Sequence, residues 1–372
     1  MSRTVENEYR PNYAVPPGQT LLETIETFGM SQAELAERMG RPRKTINEII
    51  KGKAALTPET ALQLERVLGM PASFWSNYEG LYRQALARLE EAQALAGEVR
   101  LLEQMPVREM VKLGWIRGWE DQIDQLREVL QFFAVASPAQ WRKRWEVEQQ
   151  AALRSSPAFQ SAKGAISAWL RKGEIEAQRI DCAPYDPDKF KKALRHIRAL
   201  TREPQPTAWA RLVSLCAQSG VAVVVVPELP GRTHVSGATR WLSADKALIQ
   251  LSFRYKTDDQ VWFTFFHEAG HILLHGKRDV FIEEGADGER EKQADEFALN
   301  LLLPPAKFRK FVPVRAGRGY SKSAIESFAD QIGIAPGIVV GRLQHGGLLP
   351  YTHCNGLKRP FALAIQEPGS SN

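Results

Sequence analysis

His267, Glu268 and His271 stand in H-E-x-x-H, within the run Phe265-Phe266-His267-Glu268-Ala269-Gly270-His271-Ile272-Leu273-Leu274-His275. On a helix this spacing puts two imidazoles one turn apart on a single face, where they can chelate one zinc ion. Glu268 sits beside the metal position without being needed as a ligand. It can therefore take a proton from zinc-bound water, whose pKa falls to about 7 on the ion. One turn of chain thus supplies nucleophile and base together. Val261, Trp262, Phe263, Phe265, Phe266, Ile272 and Leu273 make this helix apolar nearly all round. Both histidines are therefore expected to be buried, where an unpaired polar group is costly.

A third ligand is required, and the segment 289–304 is where it is expected. Ala294, Phe297, Ala298, Leu301 and Leu302 follow the i, i+3, i+4, i+7, i+8 pattern of a buried helix face. Glu291 extends that stripe, and an acid pointing inward on an apolar face calls for a partner, which the metal of His267 and His271 would be. Asp295, one turn on, can orient a ligand histidine from behind. Glu289, Glu283 and Glu284 are the alternative ligands. A metzincin needs a glycine three residues and a histidine six residues after its second motif histidine, and Leu274 and Lys277 stand there instead. His275 is read as closing the helix end.

The string H-E-A-G-H-x-L-L-H from His267 to His275, followed by E-x-x-A-D-x-F-A-x-x-L-L-x-P from Glu291 to Pro304, resembles the ImmA/IrrE family of zinc metallo-endopeptidases. The resemblance covers about residues 207–310. It makes Glu291 the match to that family's acidic third ligand, and Glu291-x-x-x-Asp295 also looks like the ligand helix of gluzincins. It implies Zn²⁺ as cofactor and a regulatory, repressor- or antitoxin-like protein as substrate. In such enzymes a strand beside the metal helix binds extended peptide by strand addition, and residues 247–252 are the candidate here. His234, Arg240 and Tyr255 are nearby donors for the oxyanion, and nothing in the sequence selects among them.

A second chemistry-bearing stretch runs from Met30 to Gly52, as helix, tight turn, helix. Ser31 with Glu34 makes a capping box, Gly40 ends the first helix, and Thr57 with Pro58 opens the helix that follows. Leu35, Ala36, Ile46 and Ile49 face inward. Arg41, Arg43, Lys44, Thr45, Asn47 and Lys51 are left to meet DNA: Arg suits guanine, Asn adenine, Lys and Thr phosphate. From Arg38 to Lys53 there are six basic side chains against Glu48 alone, although residues 1–90 as a whole balance 11 basic with 11 acidic. Such local charge suits specific rather than promiscuous binding, by a dimer across a palindrome. This stretch resembles the XRE-type helix-turn-helix, and with Lys53 to Ala61 it looks most like the HigA antitoxin subgroup. That resemblance covers about residues 17–80 and implies double-stranded DNA and a toxin as partners.

These motifs need elements to hold them. The chain has 372 residues, 44% hydrophobic, 25% charged and 9% aromatic, enough to bury real cores and too long for one of ordinary size. The run from Val221 to Val226 stops at Pro227, far short of the roughly 20 residues of a membrane helix, so no membrane span is expected. The N-terminus carries no apolar leader, and Cys182, Cys216 and Cys354 are scattered and odd in number, which fits a reducing cytoplasm. The formal charge of +6 permits a nucleic-acid partner without arguing for one.

The texture is multidomain, mainly α with a small α+β part. An arm to about residue 16 precedes closely spaced helices, giving an all-helical helix-turn-helix domain over 1–90. A tryptophan-rich helical region over 91–205 shows no chemistry of its own. A gluzincin-like α+β metallopeptidase domain with a small sheet spans 206–310, and a small helical unit with a polar tail spans 311–372. Within that last unit residues 325–345 resemble a second helix-turn-helix with only Arg342 basic on its second helix, so packing or substrate docking is its expected role. The expectation is a cytoplasmic, homodimeric DNA-binding regulator that cleaves a protein partner with zinc. The alternative is a non-catalytic, HigA-like antitoxin and autorepressor whose metal is structural.

Overall fold

The computed structural model describes residues 12–152, 163–229, 235–252, 257–276, 281–282, 288–316 and 319–361. The chain divides into two compact units, Met1–Val99 and Arg100–Asn372. Parts of the arm and tail, together with Glu283, Glu284, His234 and Tyr255, lie outside the described residues. Among the described residues no helix is long and apolar enough to cross a membrane.

Among its described residues the first unit holds five α-helices: α1 (Pro17–Thr27), α2 (Gln32–Met39), α3 (Arg43–Ile50), α4 (Pro58–Leu68) and α5 (Ala72–Ala96). The start signals act as their chemistry demands. The Ser31 hydroxyl accepts from the Glu34 amide at 3.2 Å, and Thr57 accepts from the Thr60 amide at 3.3 Å. The expected return bond of a capping box is replaced, since the Glu34 carboxylate pairs with Arg38 instead. Helix α1 begins at Pro17, just after the arm, because Pro17 fits a first helical turn, where no amide donor is needed. Leu21, Leu35, Ile46, Leu64 and Trp75 close this unit's core.

The second unit adds α6 (Val107–Lys112), α7 (Gln122–Phe133), α8 (Pro138–Ala152), α9 (Lys163–Gln178), α10 (Pro187–Leu200) and α11 (Gln205–Ala217). There follow β1 (Val221–Val225), β2 (Gly237–Ser243), β3 (Lys246–Leu251), α12 (Asp258–Leu274), β4 (Phe281–Ile282), α13 (Glu289–Leu302), α14 (Pro305–Ala316), α15 (Lys322–Ile332) and α16 (Pro336–His345). The strands form one mixed sheet in the order β1-β3-β2-β4, with β1 parallel to β3 and the other pairs antiparallel. Helix α12 packs on one face of it and α9 on the other.

Three tryptophans of the helical region are buried and two, Trp115 and Trp119, are half-buried. Trp141, Trp145 and Trp169 are buried, the first two edge-on to Phe133, and the Trp169 indole donates to Val226 O at 2.9 Å, tying α9 to the end of β1. Helices α12, α13, α15 and α16 share one hydrophobic core with α10, α11 and the sheet.

The helix carrying H-E-x-x-H is anchored at its first turn by two buried acids. Asp259 pairs with Lys358 at 2.7 Å, and Asp258 pairs with Arg359 at 3.0 Å. Burial pushes the Asp258 carboxyl above its usual range, and the bonds from Arg359 oppose that push. Helix α16, with Ile338, Val339, Val340 and Leu343 buried, lies against α12. The α15–α16 pair therefore has the outline of a helix-turn-helix while its second helix is spent on packing.

Candidate metal centre and groove-reading helix

Helix α12 brings His267 and His271 to one face, as the i, i+4 spacing demands, and α13 lies alongside it. The two Nε2 atoms are 3.0 Å apart. Glu291 of α13 reaches them both, with one carboxylate oxygen 3.1 Å from His267 Nε2 and the other 3.5 Å from His271 Nε2. One ligand atom from each residue falls within 4.8 Å of the others, the only such cluster among the described residues. Both histidines are 2% exposed.

On the far side of the first ring, His267 Nδ1 meets the Asp295 carboxylate at 2.8 Å. A carboxylate only accepts, so Nδ1 carries the proton and Nε2 is left with its lone pair turned to the shared point. Two nitrogens and a carboxylate aimed at one spot are a donor set that suits a zinc ion. Burial alone would raise the Glu291 carboxyl, but the close approach of His267 and His271 brings it down to about 2. Burial lowers His271 against the opposing pull of Glu291, keeping its imidazole neutral. Glu289 lies on α13 outside this cluster. His275 closes α12 through its backbone, its amide donating to His271 O at 3.1 Å.

Glu268, next to the metal face, is fully buried against β2. The Thr239 hydroxyl donates to its Oε2 at 2.5 Å. Two residues earlier on the same side of the strand stands Gly237, where a Cβ would lie 2.5 Å from Glu268 Oε1 and 2.8 Å from Thr264 Cγ2. Neither residue was singled out by the sequence, because only strand register brings them to α12; a glycine opening a strand, with a hydroxyl at the next position on that face, is the one trace they leave. Gly237→Val is expected to push β2 off α12 and lower stability by about 1–3 kcal/mol, as overpacking of a core does. An unchanged urea midpoint would show that the strand does not press on this helix.

Two expectations are corrected by the sheet. Residues 247–252 were the candidate for strand addition, but β3 is interior, paired along its length by β1 on one side and β2 on the other, and offers no open edge. Arg240, one of the oxyanion candidates, follows Thr239 and so points to the opposite face. There it is 4% exposed, pairing with Glu174 at 2.8 Å and donating to Leu170 O at 2.6 Å on α9.

In the first unit, α2 and α3 are joined through Gly40, whose φ of 64° is the left-handed conformation that ends a helix tightly. Arg43, Lys44 and Lys51 are exposed along α3 and at its end, and Thr45 and Asn47 are half-buried. Arg41 differs from them, since its Nε donates to Gln63 Oε1 of α4 at 2.5 Å. Lys44 lies 3.9 Å from Glu48 on the same helix, a distance that leaves its ammonium accessible.

Family models match two parts of the chain: the helix-turn-helix model over residues 22–75 and the IrrE N-terminal-like domain, a Peptidase_M78 model, over residues 221–319. The HTH-type transcriptional regulator YddM of Escherichia coli (strain K12) is 32% identical over 88 residues, spanning 24% of this chain and 92% of that protein. Virulence-associated protein A of Dichelobacter nodosus is 33% identical over 88 residues, 23% of this chain and 82% of that protein. Among solved structures, an addiction module antidote protein of the HigA family from Coxiella burnetii is 27% identical, with a TM-score of 0.21, covering 23% of this chain and 94% of that one. The chain thus joins two parts, an N-terminus that belongs to the XRE-type helix-turn-helix family and a stretch of its second unit that matches the IrrE N-terminal-like domain.

Proposed function

We propose that this is a cytoplasmic DNA-binding regulator with zinc-dependent endopeptidase activity, which cleaves a repressor- or antitoxin-like protein. The observation that carries the reading is the convergence of His267 Nε2, His271 Nε2 and the Glu291 carboxylate, with the first tautomer set by Asp295. Those three residues would hold the ion. When bound, zinc supplies Lewis acidity and makes water acidic enough to ionise near neutral pH. Glu268 takes the proton from the attacking water at its carboxylate and passes it to the amide nitrogen of the scissile bond. The C–N bond then breaks to leave a carboxylate and an amine. The Thr239 hydroxyl steadies the Glu268 carboxylate in that exchange, and the surrounding apolar residues exclude bulk water.

The groove-reading surface is Arg43, Lys44, Thr45, Asn47 and Lys51, acting as a homodimer on double-stranded DNA, with Arg41 bracing α3 against α4. Asn47→Ala is expected to weaken binding to the preferred site by about 1–3 kcal/mol, the worth of a base contact, and Lys44→Ala to weaken binding to all sequences alike. Mobility-shift titrations against specific and random duplexes separate the two effects.

Metal loading is expected to fall with acid, because ligation needs both imidazoles neutral. Glu291 stays ionised down to about 2, so the histidines govern the loss. Burial lowers His271, so its imidazole stays available as a ligand in more acid than an ordinary histidine with its pKa near 6.5 would. Zinc affinity at pH 7.5, 6.5 and 5.5, read by chelator competition, checks this; an affinity independent of pH would exclude histidine ligation. The function itself is tested by incubating the zinc-loaded chain with a helix-turn-helix repressor encoded beside it and reading fragments by mass spectrometry. Zinc bound without cleavage of such regulators would favour the non-catalytic, antitoxin-like alternative, with a toxin as partner.

A further inference from the structure

Asp295 explains the orientation of His267, and at the Nδ1 of His271 stands the ring of His275. That ring is backed by an amide, which a carboxylate in turn aligns. The Gln293 amide donates to Glu289 Oε1 at 3.3 Å, which turns its carbonyl oxygen the other way, to His275 Nε2 at 3.3 Å. An amide oxygen only accepts, so His275 carries its proton on Nε2 and has a lone pair on Nδ1. That lone pair lies 3.0 Å from His271 Nδ1, which must then be the protonated nitrogen. The last consequence falls at the metal point: His271 Nε2 is left unprotonated, facing His267 Nε2 and Glu291.

We propose that His275 and Gln293, aligned by Glu289, are positioning residues that fix the tautomer and ring angle of His271 for metal binding. The inference rests on the metal reading of His267, His271 and Glu291 given above. Each member has the required place. His275 is one turn beyond His271 on α12, at the helix end, and Gln293 is one turn beyond Glu289 on α13, facing it. The two ligand histidines are thereby oriented by different devices from the same helix: a carboxylate for the first, an amide acting through an imidazole for the second. In this relay the groups that touch His271 and His275 directly, an imidazole and an amide, are uncharged, and the Glu289 carboxylate acts only through the amide.

The polarity of the relay gives it a test that a packing role would not pass. Zinc affinity of the full-length chain is measured by competition with a chromophoric chelator, alongside the visible spectrum of the Co²⁺-loaded form and the melting temperature of the metal-free form. His275→Ala is expected to weaken zinc binding by about 10- to 100-fold, as loss of such outer partners does, and to shift the Co²⁺ bands with the metal-free melting temperature unchanged. At position 293 the order expected is Gln293→Glu close to wild type, Gln293→Met weaker, and Gln293→Lys weakest. A lysine would donate to His275 Nε2, turn its Nδ1–H toward His271 and force the wrong tautomer there. Lys292→Gln and Glu296→Gln make the same charge changes as the Glu and Lys variants on exposed neighbours and set the electrostatic baseline. His275→Ala binding zinc as wild type does, or Gln293→Lys no weaker than Glu296→Gln, would overturn the relay and leave the metal site standing. A wild-type chain with no measurable affinity for zinc would overturn both.

Discussion

Glu268→Gln is expected to reduce peptide-bond cleavage by about 10²- to 10⁴-fold, the contribution of a positioned general base, while zinc content and DNA affinity stay at wild-type levels. The glutamine is nearly isosteric, and its carbonyl oxygen can still accept from the Thr239 hydroxyl that holds Glu268. Glu268 is not among the clustered ligand atoms, so the donor set is untouched. What is lost is the ability to take a proton and give it back. Stability supplies the second arm of the test. A carboxylate with no solvent exposure pays a desolvation cost that an amide does not. If Glu268 is buried there for chemistry, the glutamine variant melts at the same temperature or higher. A variant that lost stability along with activity would mean that the charge holds β2 to α12, and retained cleavage would remove Glu268 from the mechanism. Comparing fragments by mass spectrometry with thermal melts of the same preparations separates these outcomes.

What could be read without coordinates was whatever local physics writes into neighbouring residues. The ends of α2 and α4 were legible because caps act across three or four residues, as Ser31, Gly40 and Thr57 do. The approach of Glu291 to the two histidines was legible because an acid in register with an apolar stripe must face what the stripe faces. The misreading of residues 247–252 is of another kind, because the place of β3 between β1 and β2 is set by strand pairing and not by the run Ala247 to Leu251 itself. Sheet order is different in kind. It puts Thr239 under Glu268 and turns Arg240 to Glu174 through pairings between strands that no short window contains. The anchoring of Asp258 and Asp259 by Arg359 and Lys358 spans about a hundred residues of sequence and leaves no periodic trace. His275 shows the middle case. Its role at the helix end followed from spacing, whereas its ring contact with His271 depended on which way Gln293 turned.

His267→Ala is expected to abolish zinc binding, from near one ion per chain in the wild type to none measurable by elemental analysis, and this is the largest change foreseen. The reason is that His267 is tied to the site at both ring nitrogens. Nε2 faces His271 and Glu291, and Nδ1 holds Asp295, so truncation removes a ligand and strands a carboxylate on each side of the gap. The effect should be graded through the set. Asp295→Ala leaves three ligand atoms but frees the His267 ring to turn, and a loss of about 10- to 100-fold in affinity is expected. Glu291→Ala, which removes the only negative charge among the ligands, should fall much nearer to His267→Ala. That order separates a metal centre from a buried hydrogen-bond cluster. In a cluster without metal, removing Asp295 or Glu291 would cost stability by unpairing buried groups, and no chelator would change any of the melting curves. In a metal centre, chelation should lower the wild-type melting temperature toward that of His267→Ala and leave the variant where it was, because binding to the native state alone is what ties the ion to stability.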